Sequence, residues 1–457
     1  MQIGARDATR GAYGRQLGDG VGLEDSVMDD KRVWRIGVAG LGTVGGGLLQ
    51  FLAERPNFAP AGGRAVVTGV SARSRSRPRP VDISGLTWFD DPVALAKSPE
   101  TDIFVELIGG SDGPAKASVE AALALGKPVV TANKALIAEH GAELAALAEA
   151  NNAPLLFEAA VMGGTPAVKM LREAMVGDDV ISVAGILNGT CNYILTEMEA
   201  GERDFAEVLS EAQAKGYAEA DPTMDVGGFD AAHKVTILAA LAFGCAPNYA
   251  AAEVEGVDKV GLIDIKLAHA LGYRIRLTAS AEKTPDGVSV RVHPALAPFD
   301  HPLSQTVGAT NALFIHGQRI GRIFIQGPGA GAGPTAAAAA ADIADVMTGA
   351  VRPVFQGPAT TLRVPTALDA SKHVGSAYMR LMVKDEPGAL AAITETLAEA
   401  GVSIDSFLQR PAQQGGAVPI VLTTHEIAES AIWAAAAEIS ALPQVLEPPR
   451  IIRIARS

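Results

Sequence analysis

Residues 33–54, VWRIGVAGLGTVGGGLLQFLAE, decide the fold. The apolar run Val33–Ala39 has the length and continuity of a strand buried on both faces, and a helical pattern follows Gly45. Between them lies Gly40-Leu41-Gly42-Thr43-Val44-Gly45, with the spacing GxGxxG. Glycines at this spacing let main-chain N–H groups approach a pyrophosphate, while the new helix directs its positive end at it. Such turns also occur for packing alone. Here a second strand at Ala65–Ala72 supplies the βαβ context. The segment therefore reads as a dinucleotide-binding turn, with these six residues, Gly40 to Gly45, at the cofactor.

The second strand indicates which dinucleotide. An NAD site places a carboxylate at its end for the ribose 2′-OH. This chain instead reads SARSRSRPR, with Arg73, Arg75, Arg77 and Arg79 and no acid before Asp82. Guanidinium groups suit a 2′-phosphate, so NADP(H) is favoured over NAD(H), with Arg73 as the first candidate. An exposed basic loop is the plainer reading.

Further strands are expected at Asp102–Gly110, Lys127–Ala135 and Pro154–Gly164, with helices between them. This alternation predicts a doubly wound parallel sheet. Ligands of such sheets sit at the strands' carboxyl ends, where Gly109, Asn133, Lys134 and Glu158 fall.

Composition narrows the function. A chain of 457 residues suggests two or three domains, and 48% hydrophobic with 19% charged residues describes a well-packed protein. A net charge of -13 argues against nucleic acid as the main partner. The 8 histidines show no ligand spacing, so zinc or iron is not expected. Cys191 and Cys245 are too few for a disulfide framework and suit a reducing cytoplasm. No apolar run approaches a membrane span, and residues 1–31 read as a flexible extension without a signal peptide's apolar core.

The stretch Gly216–Lys234, GYAEADPTMDVGGFDAAHK, gathers Glu219, Asp221, Asp225 and Asp230 ahead of one lysine. Carboxylates can hold a substrate ammonium beside a proton-transferring amine. Asp230 and Lys234 taken alone would be an ordinary i,i+4 helix pair. Asp221 and Asp225 equally suit caps or loop N–H acceptors. Cys191 has no recognisable base, which leaves it a small buried residue.

These segments, with VELIGG, KPVVTANKALI, FEAAVMGGTPAV and ILNGTCNYIL in the same order, resemble the motifs of homoserine dehydrogenases over roughly residues 33–349. The resemblance implies reversible NAD(P)H-dependent reduction of L-aspartate 4-semialdehyde to L-homoserine, in threonine, methionine and isoleucine biosynthesis. It implies Lys234 as the proton donor and acceptor with Lys134 beside it, and Glu219, Asp230 and the backbone near Gly216 around the amino-acid part, Asp225 being a further contact. It also implies Gly109 and Gly331 at the cofactor, and a structural sodium ion at Glu158, Val161, Gly163 and Thr165. A second lysine nearby would lower the pKa of Lys234 by repulsion.

From Ile181 to Gln326 the pattern becomes α+β, and the resemblance makes this region a catalytic and dimerisation domain. The helix after GPGAGAGPT is expected to return to the first domain. Beyond it, YMRLMVKDEPGALAAITETLAEAGVSIDSFLQR and the segments that follow read βαββαβ and resemble an ACT domain, of ferredoxin-like order. That resemblance implies amino-acid feedback, with L-threonine as the effector, the alternative being a dimerisation module that has lost its ligand response. The expected division is an extension over 1–31, a Rossmann-type domain over 32–160 with 328–350, and a catalytic domain over 161–327. A linker over 350–376 and an ACT domain over 377–457 complete it. Two other readings remain. One is a silent amino-acid sensor, which a lost lysine or glycine turn would mark. The other is a different semialdehyde dehydrogenase, which needs a reactive cysteine.

Overall fold

The computed structural model describes residues 32–369, 372–409 and 417–455, so the extension expected over residues 1–31 lies outside the described residues. The first sheet contains β1 (Val33–Ala39), β2 (Arg64–Ser71), β3 (Thr87–Phe89), β4 (Ile103–Glu106), β5 (Val129–Thr131) and β6 (Leu155–Leu156). All pairs are parallel, in the order β3-β2-β1-β4-β5-β6. Side chains alternate along a strand, and both faces are covered. Ile36, Val38, Ile103, Val105 and Val130 pack with the helices Thr43–Glu54 and Ala332–Thr348. Phe104, Val129 and Leu155 pack with the helices Pro114–Ala124 and Lys134–Ala150. The sheet is doubly wound, and the helix after the second glycine run does return to it.

The later strands are shorter than expected, each for a local reason. Gly109 and Gly110 have φ of 87° and 84°, which ends the extended chain after Glu106. The Asn133 side chain accepts from the Leu136 N–H and opens a helix at Lys134. Glu158–Ala160 closes into a 3₁₀ turn. The short edge strand β3 was absent from the sequence expectation.

The second sheet begins with β7 (Val180–Ile186), β8 (Glu253–Val254), β9 (Tyr273–Thr284), β10 (Gly287–Pro298), β11 (Thr310–Gly317) and β12 (Gly321–Pro328). The helix Phe229–Phe243 packs on β7, β9 and β10. It shows no single hydrophobic stripe because it is buried all round, from Asp230 to Ala242.

After residue 350 the chain crosses the outside of both units. The Ala359 N–H donates to the Glu149 carboxylate, Ala246 donates to the Arg363 carbonyl, and Ala367 bridges to Val288 on β10. The short strands β13 (Val374–Gly375) and β17 (Ile427–Ala428) pair with each other. The remaining strands are β14 (Ala377–Lys384), β15 (Ile404–Gln409), β16 (Ala417–Thr424) and β18 (Arg450–Ile454). With the helices Ala389–Glu399 and Glu429–Ser440, strands β14, β15, β16 and β18 give the expected βαββαβ order. They also extend the second sheet, whose order is β12-β11-β7-β9-β10-β18-β14-β16-β15, joined where Ala295 and Leu296 pair with Arg453 and Ile454.

Candidate active site

Three strand ends of the first sheet converge. Gly40 has φ of 95°, and a Cβ there would collide with the Leu107 carbonyl, so this turn requires glycine. A Cβ on Gly45 would collide with the Gly40 carbonyl, whereas the position above Gly42 is open. No side chain caps the helix Thr43–Glu54 at Gly42, so its first N–H groups, with the dipole behind them, suit an anion. Leu41, Thr43 and Val44 lie in the same turn.

Arg73, Arg75 and Arg77 are exposed beyond the end of β2, and no acid stands there. Arg79 differs: it donates to the carbonyls of Ser74, Arg75 and Arg77 and ties the loop to itself. On the far side, Gly331 caps the helix Ala332–Thr348 with φ of 120°. That helix runs so near the first that a Cβ on Gly47 would strike Ala332.

Lys134 is the first residue of its helix, and its Nζ lies 2.9 Å from Asp230 Oδ1. Lys234, one turn after Asp230, places its Nζ 2.7 Å from Asp230 Oδ2 and 2.8 Å from the Leu187 carbonyl. Asn188 donates through Nδ2 to both Asp230 Oδ2 and Asp225 Oδ1. The resemblance placed Lys134 beside Lys234, and the structure adds what lies between them: one buried carboxylate bridges two ammonium groups. Burial opposes ionisation of Asp230, yet Lys234 and Lys134 outweigh it and hold the carboxyl far below its usual range. Asp230 in turn raises the pKa of Lys134 against the effect of burial. The carboxylate thus stands between two lysines that were expected to face each other directly.

Asp225 is half-buried, and its pKa is raised by burial and by Asp230. Glu219 and Gly216 lie on the exposed rim, Gly216 with φ of 75° after the helix Phe205–Ala214. Glu219 is near enough to help raise the Lys134 pKa, and its own carboxylate is exposed. Asn188 is the N-cap of the helix Gly189–Gly201 and turns its amide to two acids, an arrangement that no local sequence pattern records.

Cys191 is fully buried, donates to the Asp225 carbonyl, and has its pKa pushed well up by burial. An activated thiolate requires the opposite, which removes the cysteine-dependent alternative. His233 stacks on Tyr249 with ring centroids 4.2 Å apart, as befits a packing residue.

The segment expected to hold sodium packs under the return loop. Gly163 abuts Gly329 so closely that a Cβ would clash, and Gly164 abuts Pro334 in the same way. The carboxylate of Glu158 accepts the N–H groups of Val168 and Lys169. Burial and the neighbouring Asp342 push its pKa up to about 7. The Thr165 hydroxyl is buried without a hydrogen-bond partner. Among the described residues one other cluster has metal-like composition, Asp112 with Glu139 and His140, and both of its acids are exposed. No described helix is long and apolar enough to cross a membrane.

Comparison with known proteins agrees with this geometry. Residues 40–158 match the homoserine dehydrogenase NAD-binding domain, 166–344 the homoserine dehydrogenase domain and 377–444 the ACT domain. A homoserine dehydrogenase of Neisseria gonorrhoeae is 41% identical over 427 residues, covering 92% of this chain and 98% of that protein. The crystal structure of a homoserine dehydrogenase from Thiobacillus denitrificans superposes with a TM-score of 0.87 at 39% identity, covering 93% of this chain and 99% of the other. A hyperthermophilic archaeal homoserine dehydrogenase mutant in complex with NADPH gives 0.61 at 28% identity, covering 70% and 99%.

Proposed function

Because this chain belongs to the homoserine dehydrogenase family, an oxidoreductase with a nucleotide domain, a catalytic domain and an ACT domain, we propose the following roles for its residues. The nicotinamide cofactor, when bound, supplies the hydride that reduces the aldehyde of L-aspartate 4-semialdehyde. The glycine turn Gly40–Gly45 and the uncapped helix behind it hold the pyrophosphate, with Gly109 and Gly331 lining the nicotinamide side. Arg73 faces the 2′-phosphate of NADP(H); its exposure and the missing acid at the end of β2 support that preference.

Lys234 stands at the carbonyl oxygen. Its ammonium stabilises the negative charge that builds there and then gives that oxygen a proton. Lys134 supplies a second positive charge at the same place. Asp230 keeps Lys134 charged and holds both amines in place, a role in addition to any contact with substrate. The exposed carboxylate of Glu219 takes the substrate ammonium, with Asp225 and the backbone at Gly216 completing the rim. The observation that carries this reading is the bridge from Lys134 to Lys234 through the buried Asp230 carboxylate.

A sodium ion suits the oxygen donors around residues 158–165, because hard monovalent cations prefer such ligands. The Thr165 hydroxyl, buried without a hydrogen-bond partner, and the main-chain carbonyls of Val161 and Gly163 are the donors, with an oxygen of Glu158 beside them. The ion would brace the return loop and take no part in the reaction.

A second copy of the chain covers the open face of the second sheet. Leu277, Ala279, Leu313 and Ile315 face the core, while the alternating Thr278, Ser280, Phe314 and His316 line a cavity on the other side. The ACT unit binds L-threonine as feedback effector. Two free thiols agree with a cytoplasmic setting.

The test follows nucleotide absorbance with L-aspartate 4-semialdehyde in NADPH and in NADH, for the wild type and Arg73→Ala. Turnover is expected with both nucleotides, higher kcat/KM with NADPH, and selective loss of that preference in Arg73→Ala. Equal use of both nucleotides by wild type and variant would remove the arginine from the account.

A further inference from the structure

One buried acid is not used by any of these roles. Glu106, the last residue of β4, is fully buried and lies where β1, β4 and β5 end. Its Oε1 accepts the N–H groups of Ile108 at 2.7 Å and Gly109 at 3.2 Å. Its Oε2 accepts the Thr131 hydroxyl at 2.6 Å. That hydroxyl oxygen accepts the Asn133 N–H at 2.9 Å, and the Asn133 amide donates to the Gly110 carbonyl at 2.7 Å. Asn133 also caps the helix that begins at Lys134.

We propose that Glu106 is a positioning residue that sets the Leu107–Gly110 loop and Lys134 in register with each other. The inference rests on the roles given above to Gly109 and Lys134. Burial raises the Glu106 pKa, so the fold carries this carboxyl at a cost that an apolar residue of similar size would avoid. What the acid adds is geometry. Gly109 and Gly110 both have left-handed φ and no side chains to fix them, so the loop needs an external acceptor for its N–H groups. Glu106 provides that acceptor, and its second oxygen ties the loop to the residues leading into Lys134. The same loop supports the pyrophosphate turn, because the Leu107 N–H donates to the Ala39 carbonyl and Leu107 closes over Gly40. One carboxylate thus links the cofactor turn, the loop bearing Gly109 and the helix bearing Lys134.

The two oxygens have separable jobs, which makes the proposal testable with Glu106→Gln, Glu106→Ala and Thr131→Val. Each is measured for melting temperature, NADPH dissociation constant by fluorescence titration, and kcat and KM. Gln can still accept from Ile108 and Gly109, but toward Thr131 it can only donate, so the Thr131 O–H loses its acceptor and the short contact must reverse. Glu106→Gln and Thr131→Val should therefore keep NADPH affinity within about threefold and lose kcat by roughly tenfold to a hundredfold, the scale of a small misplacement of a reacting group. Glu106→Ala should lose both. A packing role alone would lower the melting temperature in all three while kcat per folded enzyme stayed constant. Glu106→Gln and Thr131→Val with kcat and NADPH affinity both within twofold of wild type would overturn the proposal, whether or not Glu106→Ala folds. Should the wild type fail to reduce the semialdehyde, the assigned reaction fails, while NADPH affinity across the three variants still tests the loop half of the proposal.

Discussion

Lys134 and Lys234 reach the same carboxylate from different helices, at 2.9 and 2.7 Å. The raised pKa of Lys134 owes most to Asp230, so the lysine stays charged further into alkaline pH than it would alone. Neutralising that partner in Asp230→Asn lowers the Lys134 pKa. The alkaline limb of kcat/KM should then move to lower pH, alongside a fall in kcat. An unmoved limb would show that Lys134 does not govern it. At this scale the sequence was informative in part. The i,i+4 spacing of Asp230 and Lys234 is visible in the chain, and the family motif added Lys134. That the Lys134 ammonium meets the other oxygen of Asp230 depends on how two distant helices cross, which no local pattern records. The meeting of the Asn188 amide with both Asp225 and Asp230 is hidden from the sequence for the same reason.

Elements were legible where their periodicity was strong. The strand β1 and the glycine turn stand almost where expected, because an apolar run ended by glycines has few alternatives. The strands β4, β5 and β6 were overestimated, because their apolar runs continue into loops that glycine φ angles and the Asn133 cap determine. The join between the catalytic and ACT units was not visible at all. Arg291 on β10 makes a two-pronged contact with Glu429 at 2.9 and 2.8 Å, and Glu429 opens the helix Glu429–Ser440. Arg453 on β18 donates to the same carboxylate at 2.9 Å. Burial opposes the charge on Glu429, but Arg291 and Arg453 outweigh it and bring the pKa down to about 2. A carboxyl depressed in the fold stabilises it fully above the ordinary value near 4.5, and this contribution is lost as pH falls toward 2. Glu429→Gln should therefore lower stability near neutral pH by roughly 3 kcal/mol, the lower end of the range for breaking a buried pair. Denaturant titrations should show the difference shrinking below pH 4.5. A gap independent of pH would mean that the charge contributes nothing.

Across the whole molecule, two units that were legible separately combine to form one site. The nucleotide turn and Lys134 come from the first sheet's unit, while Asp230 and Lys234 come from the helix that packs on the second sheet. That second sheet runs on through β18 into the ACT unit, so the ACT strands and the strands under the helix Phe229–Phe243 share one continuous layer. The strap around β8 adds a further link. The Glu255 carboxylate receives Arg450 and Arg453 from β18, and Val257 donates to the Val226 carbonyl just before the helix Phe229–Phe243. The sequence indicated which pieces were present; long-range strand pairing, which carries no local signal, supplied their arrangement. The central claim is that Lys234 delivers the proton and the charge stabilisation at the junction of the two units. Its most direct test is the single-turnover rate of NADPH oxidation by L-aspartate 4-semialdehyde in Lys234→Ala beside wild type, with and without added ethylamine. The account predicts a loss of about a thousandfold or more, NADPH affinity nearly unchanged, and partial recovery with the amine. A variant rate within tenfold of wild type, indifferent to the amine, would contradict it.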